Sequence, residues 1–223
     1  MNIEQARFHM IEQQIRPWEV LDSQVLALLA EVKREDFVPT AHQLLAFADL
    51  EIPLPGHTHP SQCMLCPKVE ARLLQDLDVQ AHEKVLEIGA GSGFMAALLA
   101  HRAQQVLTLE IEPRLADLAR RNLQHAGIYN AKVFEADGSQ PLGGELAGPF
   151  DVIVLSGSVA QVPEALKALL KVGGRLAAIV GQEPVMCATL LTRVSESAWR
   201  TSQDWDTVAP RLQGFAEPSA FRF

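Results

Sequence analysis

Between Val85 and Phe94 the chain reads V-L-E-I-G-A-G-S-G-F, and no other stretch limits the fold as tightly. Val85 to Ile88 is a short apolar run rich in β-branched residues. Gly89, Gly91 and Gly93 then recur at every second position before a long apolar segment. This pattern predicts strand, tight turn and helix. Glycine is required because the backbone must turn sharply, often at positive φ, and because a ligand approaching main-chain N–H groups leaves no room for a Cβ.

Phe94 and Glu87 decide which ligand such a turn serves. The dinucleotide fingerprint G-x-G-x-x-G, counted from Gly89, needs glycine where Phe94 stands. Glu87 adds a carboxylate at the strand's end, which repels a pyrophosphate and attracts a cation. The pattern E-x-G-x-G-x-G resembles the first motif of the S-adenosylmethionine-dependent methyltransferases, in which the acid supports the methionine end of the cofactor. A glycine turn with no ligand is the plainer alternative.

The 223 residues, 48% of them hydrophobic, suffice for one substantial core with a small annex. The net charge of −8 argues against non-specific binding to nucleic acid or an anionic membrane. A polar, acidic start and the lack of any run of about 18 apolar residues lead us to expect a cytoplasmic protein. Three cysteines do not make a disulfide framework.

Residues 2–36 read as two helices separated at Pro17, with Asp22 as the second N-cap and Trp18 as a hydrophobic anchor of the turn between them. Four prolines and Gly56 between Pro53 and Pro67 exclude a regular element until Pro67 opens a helix, so this stretch is a candidate lid. It carries His57, His59, Cys63 and Cys66 in an H-x-H-x3-C-x2-C run. These could ligate zinc, although loop residues without metal are the preferred reading. Cys66, at a helix N-terminus, is also a candidate for a lowered thiol pKa.

R-E-D-F-V-P at 34–39, D-L-E-I-P-L-P-G at 49–56, the helix-opening proline and the glycine turn together resemble the protein-L-isoaspartate O-methyltransferase family in order and spacing, over roughly residues 30–180. The resemblance implies a Rossmann-like α/β fold: a seven-stranded, mostly parallel sheet with helices on both faces and an N-terminal helical annex. It implies S-adenosylmethionine as cofactor. The predicted division is residues 1–80 as annex and lid, and 81–223 as the cofactor-binding domain.

Glu110 ends a predicted strand, Val106 to Leu109, where its carboxylate can accept from both ribose hydroxyls, with Ile111 beside it. Asp137 and Gly138 follow the strand Ala131–Glu135, and in the family such a pair meets the adenine. Cys63, Met64 and Leu65 stand where the family carries Thr-Ile-Ser before the proline, so the serine hydroxyl given a role at that reaction centre is absent. With Glu87, Gly89, Ala90, Gly91, Gly93 and Ser156 these residues are the predicted cofactor bed. No catalytic residue and no metal ligand is assigned. His101, His125 and Cys187 read as structural.

The strand Phe150–Leu155 leads into Ser156-Gly157-Ser158, which lacks the acid-or-asparagine, double-proline and aromatic motif of amino-group methyltransferases. A carboxylate acceptor needs no general base, because its pKa near 4 leaves it ionised at neutral pH. The expected activity is therefore methyl transfer to a carboxylate, with isoaspartyl residues of damaged proteins as first candidate. The alternatives are another protein or small acid, or a non-catalytic protein binding the cofactor or zinc. The family has further C-terminal structure around its substrate, and little chain follows Val208 for that purpose.

Overall fold

The structure is a computed structural model and describes residues 2–217. Its centre is a seven-stranded sheet of β3 (Lys84–Ile88), β4 (Gln105–Glu110), β5 (Ala131–Glu135), β6 (Phe150–Val159), β7 (Leu170–Gln182), β8 (Val185–Arg193) and β9 (Trp199–Asp206). The spatial order is β5-β4-β3-β6-β7-β8-β9; the first five strands are parallel, and β8 and β9 close the sheet antiparallel. The order reverses between β3 and β6, and ligands of open α/β sheets bind outside the carboxyl ends at such a point.

The helix α4 (Phe94–Arg102), apolar and buried from Phe94 to Ala100, and α3 (Pro67–Leu77) cover one face. Leu115, Ala119 and Leu123 turn the inner side of α5 (Pro113–His125) inward, as the spacing predicts. One continuous apolar cluster runs from Met10, Ile15 and Leu29 through Leu74 and Leu98 to Val85 and Val106, joining the N-terminal helices to the sheet. The annex is thus built onto the same core as the cofactor strands.

Several expectations need correction. The first helix α1 (Ile3–His9) widens into a π-helical turn, Met10–Ile15, then tightens into Arg16–Trp18, so Pro17 lies inside the winding rather than at its break. The widened turn leaves Ile3 and Phe8 exposed while Met10, Ile11 and Ile15 are buried. Asp22 caps α2 (Ser23–Glu31), accepting from the Gln24 N–H at 2.7 Å. Trp18 is 43% exposed, with the Lys68 ammonium 3.9 Å above its ring. It is held by a cation at the surface, not by core packing.

The proline-rich stretch is not wholly irregular: β1 (Ile52–Pro53) and β2 (Cys63–Met64) pair antiparallel at its two ends. The helix opened by Pro163 is a single turn, α6 (Glu164–Lys167). Strand β6 continues past Leu155, because extra residues between Val154 and Ser158 are absorbed in a bulge against β7. Bulges re-aim side chains next to sites, and this one carries Ser156.

Candidate functional site

The turn after β3 has positive φ at Gly89, Gly91 and Gly93. At Gly89 a Cβ would stand 3.0 Å from the Leu212 side chain and 3.3 Å from the Ser156 carbonyl. A side chain there is therefore excluded by space as well as by conformation. Gly93 caps α4 and faces α5 at Ala119, away from the open space.

Two connected hollows lie at the carboxyl ends of β3, β4 and β6, sharing Cys63, Gly89, Gly91 and Ser156. The larger is a cleft of about 540 Å³, open to solvent, with Glu110, Ile111, Asp137 and Gly138 along it. The smaller chamber is lined by Met64, Leu65, Glu87, Ala90 and the start of α4. Every residue of the predicted bed except Gly93 borders one or both.

Glu110 is fixed by main-chain donors: Gly91 N–H at 2.8 Å and Glu112 N–H at 3.1 Å. Burial raises its pKa, and these N–H groups oppose the rise by favouring the charged form. Asp137 Oδ1 accepts from the Ser139 N–H and hydroxyl at 2.9 and 2.7 Å. Gly138 must be glycine, since a Cβ would meet Ile88 at 2.6 Å. Exposed Ile111, with Leu115 and Phe215, adds apolar walls. Together they make a slot with carboxylates at two edges, suited to a flat ring bearing an amine and to a diol.

Glu87 is fully buried, accepting from Thr108 and Ser156 hydroxyls at 2.7 Å each. Burial pushes its pKa up to about 7 against those two hydrogen bonds, and the Glu110 charge adds to the rise. Leu65 is buried, and its carbonyl accepts from Arg34 Nη2 at 2.9 Å, so an ion-bonded backbone stands where the family has its serine.

The lid histidines bond locally: His57 Nδ1 to the Leu54 carbonyl at 3.2 Å, His59 Nδ1 to Ser61 Oγ at 2.8 Å. Among the described residues no three His, Cys, Asp or Glu side chains form a metal-holding group. The expected low thiol pKa of Cys66 is overturned. Burial, aided by Asp49 and Glu51, pushes it up to about 11 despite Lys68 and Arg34. His101 Nδ1 lies 3.9 Å from Glu31, and Cys187 contacts the Trp205 carbonyl.

The sequence reading missed the second wall of the cleft. Buried Ser158 donates to the carbonyl of Ala209 at 2.7 Å, and its own carbonyl accepts from Leu212 N–H at 2.9 Å. The segment after β9 is thereby folded back so that Leu212, Gln213 and Phe215 line the cleft. Gln213 reaches the lid at Ser61, 3.1 Å away. The sequence reading expected little chain after Val208 for enclosing a substrate, and did not foresee that a short strap against β6 walls the cleft. Glu70 was also missed, although it lies three, four and seven residues before Leu73, Leu74 and Leu77, on the buried face of α3.

The family model described as protein-L-isoaspartate(D-aspartate) O-methyltransferase matches residues 5–205. A protein-L-isoaspartate O-methyltransferase of Koribacter versatilis is 36% identical over 94% of this chain and 93% of its own length. One from Rhodopseudomonas palustris is 38% identical over 86% and 85%. Among solved structures, a Plasmodium falciparum chain provisionally assigned as the same enzyme, in complex with S-adenosyl-L-homocysteine, aligns over 96% of this chain and 99% of its own with a TM-score of 0.78. At 18% identity that likeness speaks for the fold.

Proposed function

The chain belongs to the protein-L-isoaspartate(D-aspartate) O-methyltransferase family, and from that premise we propose how its two hollows divide the work. It is an S-adenosylmethionine-dependent O-methyltransferase of the protein-L-isoaspartate type. In our reading the cleft takes the adenosine part of the cofactor, with Glu110 accepting from the ribose and Asp137 from the adenine amine, and the chamber takes the methionine part beside Glu87. The donor set fits: acids stand where a diol, an amine and an ammonium need acceptors. Residues 1–80 supply the annex, the lid and, through Cys63, Met64 and Leu65, one part of the bed, and the rest of the bed comes from the domain that begins at 81.

When bound, the cofactor supplies a sulfonium methyl group to the acceptor. The chain's own part is to position and to dry. An isoaspartyl carboxylate arrives ionised, so no proton has to be removed. Apolar Met64 and Leu65, both buried, narrow the chamber against water. Ser156, tied to Glu87, keeps its hydroxyl off the acceptor. Orientation alone is worth about 7 to 11 kcal/mol in favourable cases, so the missing serine hydroxyl does not preclude catalysis.

The observation that carries the reading is Glu110 locked to the glycine turn through Gly91 N–H, which unites the two predicted motifs in one cleft. No helix among the described residues is long and apolar enough to cross a membrane. A cytoplasmic setting and a protein or peptide acceptor, rather than nucleic acid, complete the proposal. The test is transfer of a labelled methyl group to an isoaspartyl peptide, with the aspartyl peptide of the same sequence as control. Labelling of the first alone is expected; equal labelling of both, or of neither, would move the acceptor elsewhere.

A further inference from the structure

The chamber holds a second acid that the reading above leaves unused. Glu70, in the first turn of α3, is 5% exposed and lines the chamber with Glu87. Its Oε2 is buried and has no hydrogen-bond partner. The titratable and charged groups facing it are Glu87 from β3, the neutral Cys63 thiol from β2, and Arg34 from the turn Arg34–Asp36. Arg34 makes no hydrogen bond to it: Nη1 and Nη2 donate to the carbonyls of Ala46 and Leu65 at 3.0 and 2.9 Å, and the buried Nε, like Glu70 Oε2, has no partner.

A buried carboxyl oxygen without a donor is costly, and native structures rarely keep one without a reason. The same chamber is also bounded by Ser92, Phe94 and Met95. Phe94 and Met95 open α4, where main-chain N–H groups have no partner one turn back. Such a helix start favours an anion, and the two acids favour a cation. One small chamber therefore offers both signs to a zwitterion.

We propose that Glu70 is a second acceptor, beside Glu87, for the ammonium group of the cofactor's amino-acid end. The proposal rests on reading the chamber as the methionine site. Burial pushes the Glu70 pKa up to about 8, with Arg34 pulling it down and Glu87 pushing it further up. An arriving ammonium favours the ionised form, so binding expels the proton.

The experiment is calorimetric titration of the full chain at pH 8 with two probes, S-adenosylhomocysteine and methylthioadenosine, the latter lacking the amino-acid end. Heats compared between buffers of different ionisation enthalpy count the protons. Unmodified protein should release roughly half a proton per S-adenosylhomocysteine bound, since Glu87 is already largely ionised at this pH. Glu70→Gln should abolish that release, weaken S-adenosylhomocysteine about tenfold and leave methylthioadenosine within about twofold. Unchanged affinity for the first probe, or an equal loss for both, overturns the proposal. So does the absence of proton release by unmodified protein, a result independent of how the variant folds. If unmodified protein binds neither probe, the cofactor reading itself falls.

Discussion

Glu110 and Glu70 are both buried acids in one continuous site, and their surroundings are opposite. Glu110 receives two N–H groups of the chain itself at 2.8 and 3.1 Å, and Glu70 Oε2 receives none. In the reading proposed above, the adenosine end is completed by the fold, since the glycine turn itself supplies the acid with donors. On the same reading the methionine end is left incomplete, and the fold bears the cost of an acid whose Oε2 has no hydrogen-bond partner. Pre-organisation and stored penalty sit side by side across Gly91.

The largest effect should come from removing that penalty. Glu70 has a folded pKa above its unfolded value, so the folded chain binds the extra proton between about pH 4.5 and 8. Its stability then declines as pH rises through that window and levels off above it. Glu70→Gln removes the titration. In urea unfolding of ligand-free protein the variant should match the parent near pH 5 and exceed it by a few kcal/mol at pH 9. A gain that does not grow with pH would place Glu70 among satisfied groups, and the contrast with Glu110 would vanish.

Glu110→Ala comes next. It strips the acceptor from Gly91 and Glu112 N–H and, on the proposed reading, from the ribose hydroxyls of a bound cofactor. Affinity for S-adenosylhomocysteine should fall by about 1.5 to 3 kcal/mol, roughly ten- to hundredfold, in calorimetry. Unchanged affinity would make Glu110 a brace for the turn and nothing more.

Glu87, Glu110 and Asp137 were legible because each lies within a few residues of its own signal. Glu87 precedes the glycines, Glu110 ends a β-rich run, and Asp137-Gly138 follows another. Strand ends and tight turns are written locally, so spacing finds them. The strap at Leu212 to Phe215 is held by β6, some fifty residues earlier in the chain, through main-chain bonds to Ser158 and the Ser158 hydroxyl's bond to the Ala209 carbonyl, and a single serine in a strand is too common to signal them. No side-chain pattern announces it. Glu70 had a local signal, its place on the apolar stripe of α3, yet a glutamate in a helix reads as solvated until its three leucine neighbours are counted.

Gly157→Ala tests the strap. The added Cβ would lie 2.8 Å from the Leu212 side chain and 3.1 Å from the Pro210 carbonyl. Overpacking of this kind costs about 1 kcal/mol or more, and lifting the strap relieves it. We expect S-adenosylhomocysteine and methylthioadenosine to weaken together by roughly fivefold, with faster proteolysis after Asp206. That joint loss is the counterpart of the selective loss predicted for Glu70→Gln. If Gly157→Ala also spared methylthioadenosine, the strap would belong to the methionine end, and the division of the site would have to be redrawn.

The smallest effect falls on Cys63, which touches both hollows. Burial, then Glu51, Glu70 and Cys66, push its thiol up to about 12. The thiolate is the reactive form, so at pH 8 only about one part in ten thousand is available. Alkylation by iodoacetamide should run at least about a hundredfold slower than for a free thiol. Glu70→Gln takes one of the charges opposing ionisation out of the chamber, so it should speed Cys63 labelling by roughly two- to threefold. Mass spectrometry of the Cys63 peptide reads this. A slower rate in the variant would mean that Glu70 is not charged toward the chamber at pH 8, and its difference from Glu110 would be one of burial alone.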